Sequence, residues 1–164
     1  MATRNIVERG DDTLGKVCRP VTQFDQRLHE LLDDMRETLE AAQGYGLAAP
    51  QVGILRRVAL VTTSEDTVLE IINPEILSQE GEQGGYEGCL SVPGLYGWVQ
   101  RPYKVKIRAQ DRNGNFFEAE DIEMSARCFC HEIEHLDGHL FTEKVDGKLY
   151  TPEELDAMRS KEEK

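Results

Sequence analysis

A chain of 164 residues with 39% hydrophobic and 30% charged residues has the make-up of an ordinary globular protein, which excludes collagen-like repetition and wholesale disorder. Its length suits one domain, residues 1–164, with a continuous core that needs no disulfide staples. A formal net charge of -12 argues against a direct nucleic-acid site, which would rest on a basic surface, and no stretch is apolar enough for a membrane partner.

The opening "MATRNIVERG" carries charges where a secretory signal needs an apolar run, so a cytoplasmic location is expected. Four unevenly spaced cysteines then read as reduced thiols. In "DQRLHELLDDMRETLEAAQG", Leu28, Leu31, Leu32, Met35, Leu39 and Ala42 recur at helical spacing, with Asp25 as cap and Gly44 as stop. Beyond "GYGLAAPQVG" come short strand-like runs: "RRVALVTT", "TVLEIINP", "EILSQE", "YKVKIRAQ" and "NFFEAED". Lys104, Lys106 and Arg108 alternate with Val105 and Ile107, as on the wet face of a strand. Asn113-Gly114 predicts a tight hairpin with positive φ at both central positions. A second helix is expected over Met124 to Leu136, stopping at Gly138, and a short acidic third one starts where Thr151 caps and Pro152 takes the first helical position. The fold class is therefore α+β: antiparallel sheets around a central helix, with one N-terminal and one short C-terminal helix.

The central helix carries "CFCHEIEHLDG". His131 and His135 are four apart, which stacks them on one face where they can grip a single metal ion, and Glu132 lies beside that ion. A carboxylate so placed can take a proton from metal-held water and return it to a leaving group. Catalytic sites usually take three protein ligands, so a third is needed. Cys128 sits about 10 Å along the helix from His135, at about 1.5 Å rise per residue, and reads as packing. Cys130 points elsewhere, His139 lies beyond the helix end, and His29 reads as a surface residue. Glu154 is one option, as in zinc peptidases whose third ligand is a downstream glutamate, although it sits in a run of acids that suits a solvated helix face. Cys89 is the other, set in "GGYEGCLSVPG" among glycines that let the backbone bend or approach another group. A thiolate with two imidazoles suits zinc or ferrous iron.

"GYGLAAPQ" (Gly44 to Gln51), "EGCLS" (Glu87 to Ser91) and "HEIEH" (His131 to His135), in that order, resemble the three motifs of the peptide deformylases. The resemblance implies a bacterial-type cytoplasmic hydrolase that removes the N-formyl group from the formyl-methionine of nascent polypeptides and releases formate. It implies that Cys89, His131 and His135 hold the metal, most often Fe2+, with Zn2+, Ni2+ or Co2+ able to substitute. Glu132 would be general base and then acid, while the Gln51 amide and the Leu90 backbone N–H would stabilise the oxyanion. Gly46 would pair with the substrate backbone, and Tyr45, Gly88 and Met124 would build the methionine pocket. Outside the resemblance, Gln51, Glu87 and Ser91 have no role that residue chemistry alone assigns.

Two positions depart from the common family pattern, Cys130 and Glu134. Glu134 keeps a carboxylate near a histidine, where it could orient an imidazole, and Cys130, a second thiol near a redox-active ion, is expected to add sensitivity to oxidation. Near the C-terminus Glu153, Glu154, Asp156, Glu162 and Glu163 outnumber Arg159, Lys161 and Lys164, which counts against a transient ribosome contact through that helix.

Overall fold

The computed structural model describes residues 2–162, and of Lys161 and Glu162 the backbone alone. Met1, Glu163 and Lys164 therefore lie outside the described residues, and with them part of the acidic balance expected of the last helix. The first helix, α1, spans Gln26–Ala42, and the Asp25 carboxylate accepts from the Leu28 amide at 3.1 Å, satisfying one of the orphaned donors at a helix start. Its expected apolar stripe is buried from Leu28 to Leu39. The left-handed residue that ends it is Gln43 (φ 54), one position before the glycine assigned that task; the Gly44 amide then bonds back to the Leu39 carbonyl at 3.2 Å.

Seven strands follow: β1 Gly46–Ala48, β2 Val58–Thr62, β3 Val68–Glu80, β4 Gln83–Cys89, β5 Val92–Arg101, β6 Lys104–Gln110 and β7 Phe116–Ile122. Five form one sheet in the order β1-β2-β3-β6-β7, and β4 pairs with β5 in a separate hairpin; every pairing is antiparallel. Two runs that read as separate strands, "TVLEIINP" and "EILSQE", are one strand, β3, bent by register shifts on either side of Glu75 and Ile76. Its tolerance of Asn73 at φ 51 comes from the side chain, which bonds Val21 through both its oxygen (2.8 Å) and its nitrogen (2.9 Å).

The β6–β7 turn departs from the expected form. Gly114 alone has positive φ, +86, while the Asp111 carboxylate accepts from the Asn113 and Asn115 amides and the Asp111 carbonyl from Gly114. Asp111 thus stabilises a wider turn closed by a left-handed glycine, and Asn113 has no need of positive φ. Of the two readings of the glycines around Cys89, a bend or a close approach to another group, the β4–β5 hairpin takes the second. It is a strand pair because aromatic rings fill the space above the glycines: a Cβ on Gly88 would lie 2.4 Å from the Tyr96 ring.

The second helix, α2, spans Glu123–Leu136, one residue longer at its start than expected, with Glu123 itself at φ 53. It packs through Ala126, Phe129 and Ile133 on the face of the five-stranded sheet formed by Ala59, Val61, Ile71 and Ile107, while α1 covers Leu60 and Ile72 on the opposite face. Both faces of β2 are therefore buried, which explains its unbroken "VALV". On its other flank α2 meets the β4–β5 hairpin and a 3-10 turn over Phe141–Lys144, with Phe141 stacked on His131 at 5.8 Å. The third helix, α3, spans Pro152–Glu162.

Candidate metal centre

The donors come together where the turn joining β4 to β5 meets the middle of α2. Cys89 is the last residue of β4, delivered after a register shift between Glu87 and Cys89, and its Sγ lies 3.4 Å from the His135 Nε2. With His131 it forms a triad whose candidate ligand atoms all lie within 4.8 Å of one another, a spacing one divalent ion can bridge. Among the described residues no other group of three His, Cys, Asp or Glu is so arranged. His131 and His135 are buried in α2, their rings 4.9 Å apart.

The residues fit a metal on their chemistry. Glu87 Oε1 sits 2.8 Å from His131 Nδ1; a carboxylate there only accepts, so Nδ1 carries a proton and Nε2 is the ring nitrogen left to face an ion. Glu87 is in turn gripped by Arg101, whose Nε and Nη2 donate to its two oxygens at 2.8 and 3.0 Å, and by Arg127 Nη1 at 2.7 Å. Burial drives its pKa upward, but the hydrogen bonds from His131 and Arg101 outweigh it and hold the carboxyl well below the usual range. Arg101 continues to Glu134 (2.7 Å), which also takes Lys144 (2.9 Å). Contrary to the role read for it, Glu134 therefore does not orient an imidazole directly; Glu87 does. Sequence reasoning missed Glu87, and the one signal available was its two-residue spacing from Cys89 on a strand, which favours a shared face.

Glu132 is 3% exposed, and its Oε1, 3.9 Å from His135 Nε2, has no hydrogen-bond partner among the described residues. Burial pushes its pKa up to about 7. Gln51 lies in a 3-10 turn over Ala49–Val52, where its Oε1 accepts from the Ala48 amide at 2.9 Å. Its Nε2 donates to Ser91 Oγ (3.1 Å) and reaches Cys89 Sγ (3.4 Å), so the amide is aimed at the donor cluster. Leu90 stands in the turn just after Cys89 and lines the same cavity.

That cavity, about 450 Å³, contains all four residues expected to bind substrate, Tyr45, Gly46, Gly88 and Met124, together with Tyr86 and Arg127. Tyr45 is held by its hydroxyl, 2.8 Å from Ser125 Oγ, which itself donates to the Thr62 carbonyl at 2.9 Å. Met124 stands at the rim, 52% exposed. Gly46 belongs to the edge strand β1, and a Cβ on it would fall 2.6 Å from both Glu132 Oε2 and Cys128 Sγ.

The competing ligands are engaged elsewhere. Glu154 is an exposed cap of α3, accepting from the Thr151 amide at 3.1 Å while its own amide donates to Thr151 Oγ1 at 3.2 Å. That removes it as a third ligand. His139 is exposed and pairs with Glu143, and His29, expected at the surface, is half-buried with Nε2 2.7 Å from the Arg112 carbonyl. Cys130 is buried and its thiol is pushed up to about 11 by that burial, so it holds little thiolate. Reactivity follows thiolate and access, and both burial and the raised pKa work against the oxidative sensitivity expected of Cys130.

A family model described as polypeptide deformylase matches residues 3–149. This chain belongs to the peptide deformylase family. It is 53% identical over 150 residues to the peptide deformylase of Agathobacter rectalis, covering 92% of this chain and 94% of that one. It is 48% identical over 164 residues to that of Caldicellulosiruptor bescii, covering 100% and 98%. Among solved structures it resembles a peptide deformylase from Legionella pneumophila (TM-score 0.84, 37% identity, 99% of this chain and 98% of that) and one from Ehrlichia chaffeensis in complex with actinonin (TM-score 0.86, 35% identity, 89% and 90%). Deformylation of nascent peptides, with a metal, is the activity of this family, and the chain is an enzyme of that kind. Among the described residues no helix is long and apolar enough to cross a membrane.

Proposed function

We propose that this enzyme, one catalytic unit spanning the chain, removes the N-formyl group from the formyl-methionine of nascent polypeptides in a bacterial cytoplasm, using a divalent ion held by Cys89, His131 and His135. The observation that carries the reading is that donor triad, set beside a buried carboxylate with an unpartnered oxygen at the wall of a cavity of about 450 Å³. A bound ion, ferrous iron by preference with zinc, nickel or cobalt as substitutes, supplies Lewis acidity to the formyl carbonyl and acidity to water.

The protein's own groups do the rest. Glu132, buried with an unpartnered oxygen, takes a proton from the attacking water and delivers it to the departing amine nitrogen; formate and a free amino terminus leave. Gln51 Nε2, anchored through Ser91 and Ala48, and the Leu90 backbone N–H donate to the oxygen on which charge develops. Gly46, on an edge strand, hydrogen-bonds the substrate main chain, which keeps recognition independent of later side chains. Tyr45, Gly88 and Met124 enclose the methionine side chain. On α3, Glu153, Glu154 and Asp156 face solvent against Arg159, a balance that does not favour docking on ribosomal RNA.

Anaerobic purification with metal analysis, followed by formate release from a formyl-methionyl peptide, tests the proposal. Cys89→Ala is expected to lose the metal and Glu154→Ala to keep it; retention of metal and turnover by Cys89→Ala would refute it.

A further inference from the structure

The cavity wall carries a cation only part of which is engaged in holding the metal centre. Arg127 lies on α2 one turn before His131, and its side chain is 7% exposed. Nη1 takes both of its acceptors, Glu87 Oε2 at 2.7 Å and the Val99 carbonyl at 3.1 Å. A guanidinium has five N–H donors. Nε and Nη2 have no acceptor among the described residues, yet neither is sealed away from solvent, because Arg127 lines the cavity. Gly85 makes room for the group: a Cβ there would lie 3.0 Å from Nη2. The neighbouring hydroxyl of Tyr45 is already bonded to Ser125, so Arg127 is the wall's source of free, charged donors on that side.

We infer that Arg127 sets the specificity of this cavity, and that the cavity accepts a first side chain with a hydrogen-bond acceptor near its tip, methionine sulfoxide as well as methionine. The inference rests on the deformylase reading and adds a substrate class to it. A side chain that fills the cavity strips water from Nε and Nη2. An aliphatic tip leaves those donors bare, a thioether sulfur is a weak acceptor, and a sulfoxide oxygen accepts a charge-assisted bond. A pocket walled only by hydrocarbon would instead reject the sulfoxide, because its polar oxygen would be buried without a partner. The enzyme would thus process chains whose initiator methionine has been oxidised.

The test uses the full-length, metal-loaded enzyme and three formyl peptides differing only in the first side chain: methionine, methionine sulfoxide and norleucine. The kcat/KM of each is measured by formate release. The parent enzyme is expected to use the sulfoxide at least as well as norleucine. In Arg127→Leu the ratio of sulfoxide to norleucine should fall by about tenfold or more, the discrimination expected of one hydrogen bond to a charged group. Taking the ratio cancels any loss that both substrates share through Glu87. A ratio that moves less than about threefold overturns the inference. So does a parent enzyme that uses the sulfoxide tenfold less well than norleucine, a result that stands even if the variant does not fold. Absence of formate from all three peptides would overturn the deformylase reading itself, whereas selective failure on the sulfoxide overturns only the role of Arg127.

Discussion

Replacing Glu87 with glutamine tests whether the buried carboxylate holds the donor triad together. The four donors it faces are arranged two per oxygen: His131 Nδ1 and Arg101 Nη2 at Oε1, Arg101 Nε and Arg127 Nη1 at Oε2. An amide nitrogen at either place meets two donors, so two charge-assisted bonds become donor–donor contacts whichever way the amide turns. At about 1.5–3 kcal/mol for each such bond, the loss is about 3–6 kcal/mol. Breaking a buried ion pair by removing one partner gives a similar figure, about 3–5 kcal/mol. Arg101 keeps Glu134, and Arg127 keeps Val99, so the lower end is the better expectation. For a chain this long that corresponds to a fall in Tm on the order of 10 °C. His131 loses the acceptor that fixes its tautomer, and metal affinity should drop about 10- to 100-fold. Urea unfolding of metal-free protein reads the first quantity, and competition with a chelator reads the second. A variant within about 1 kcal/mol of the parent that also binds metal within a factor of about three would refute the assignment of Glu87 as the organiser of this site.

Glu132→Gln should cost about 10²- to 10⁴-fold in kcat, the usual contribution of a general acid–base group. In the metal-free protein it should have the opposite effect on stability. Burial raises Glu132 from 4.5 to about 7, so ionisation penalises the folded state as pH climbs through that window, and the full penalty is present above about 7. At about 1.4 kcal/mol per pKa unit, removing the charge stabilises the metal-free protein by about 3 kcal/mol at pH 8, and the gain should shrink toward pH 5; urea midpoints at the two values decide it. Gly46→Ala brings a Cβ to 2.6 Å from Glu132 Oε2 and 3.0 Å from the Leu60 carbonyl, and should lower kcat/KM by about 100-fold with the fold intact by circular dichroism. Cys130→Ser should be inactivated by peroxide as fast as the parent, since the buried Cys130 thiol, pushed up to about 11, is not the reactive one; slower inactivation would show otherwise.

The sequence by itself determined the local choices. The apolar stripe and Asp25 cap made α1, and the spacing of His131 and His135 put both rings on one face of a helix, because helical periodicity depends only on neighbours along the chain. The order of its three short motifs also pointed to the family. What only the tertiary structure decided was which distant groups meet. Arg101 and Arg127 carry no local signal and Glu87 only its spacing from Cys89, since a buried charge is recognised by its partners and those lie 14 and 40 residues away. The glycines of β4 allowed a bend or a close approach, and only the folded chain shows that the rings of Tyr96 and Trp98 are what approach. Glu154 read as a possible ligand until its carboxylate proved to cap its own helix. A metal centre with an organised surround is a long-range object, and its geometry exists only once the β4–β5 turn is laid against α2.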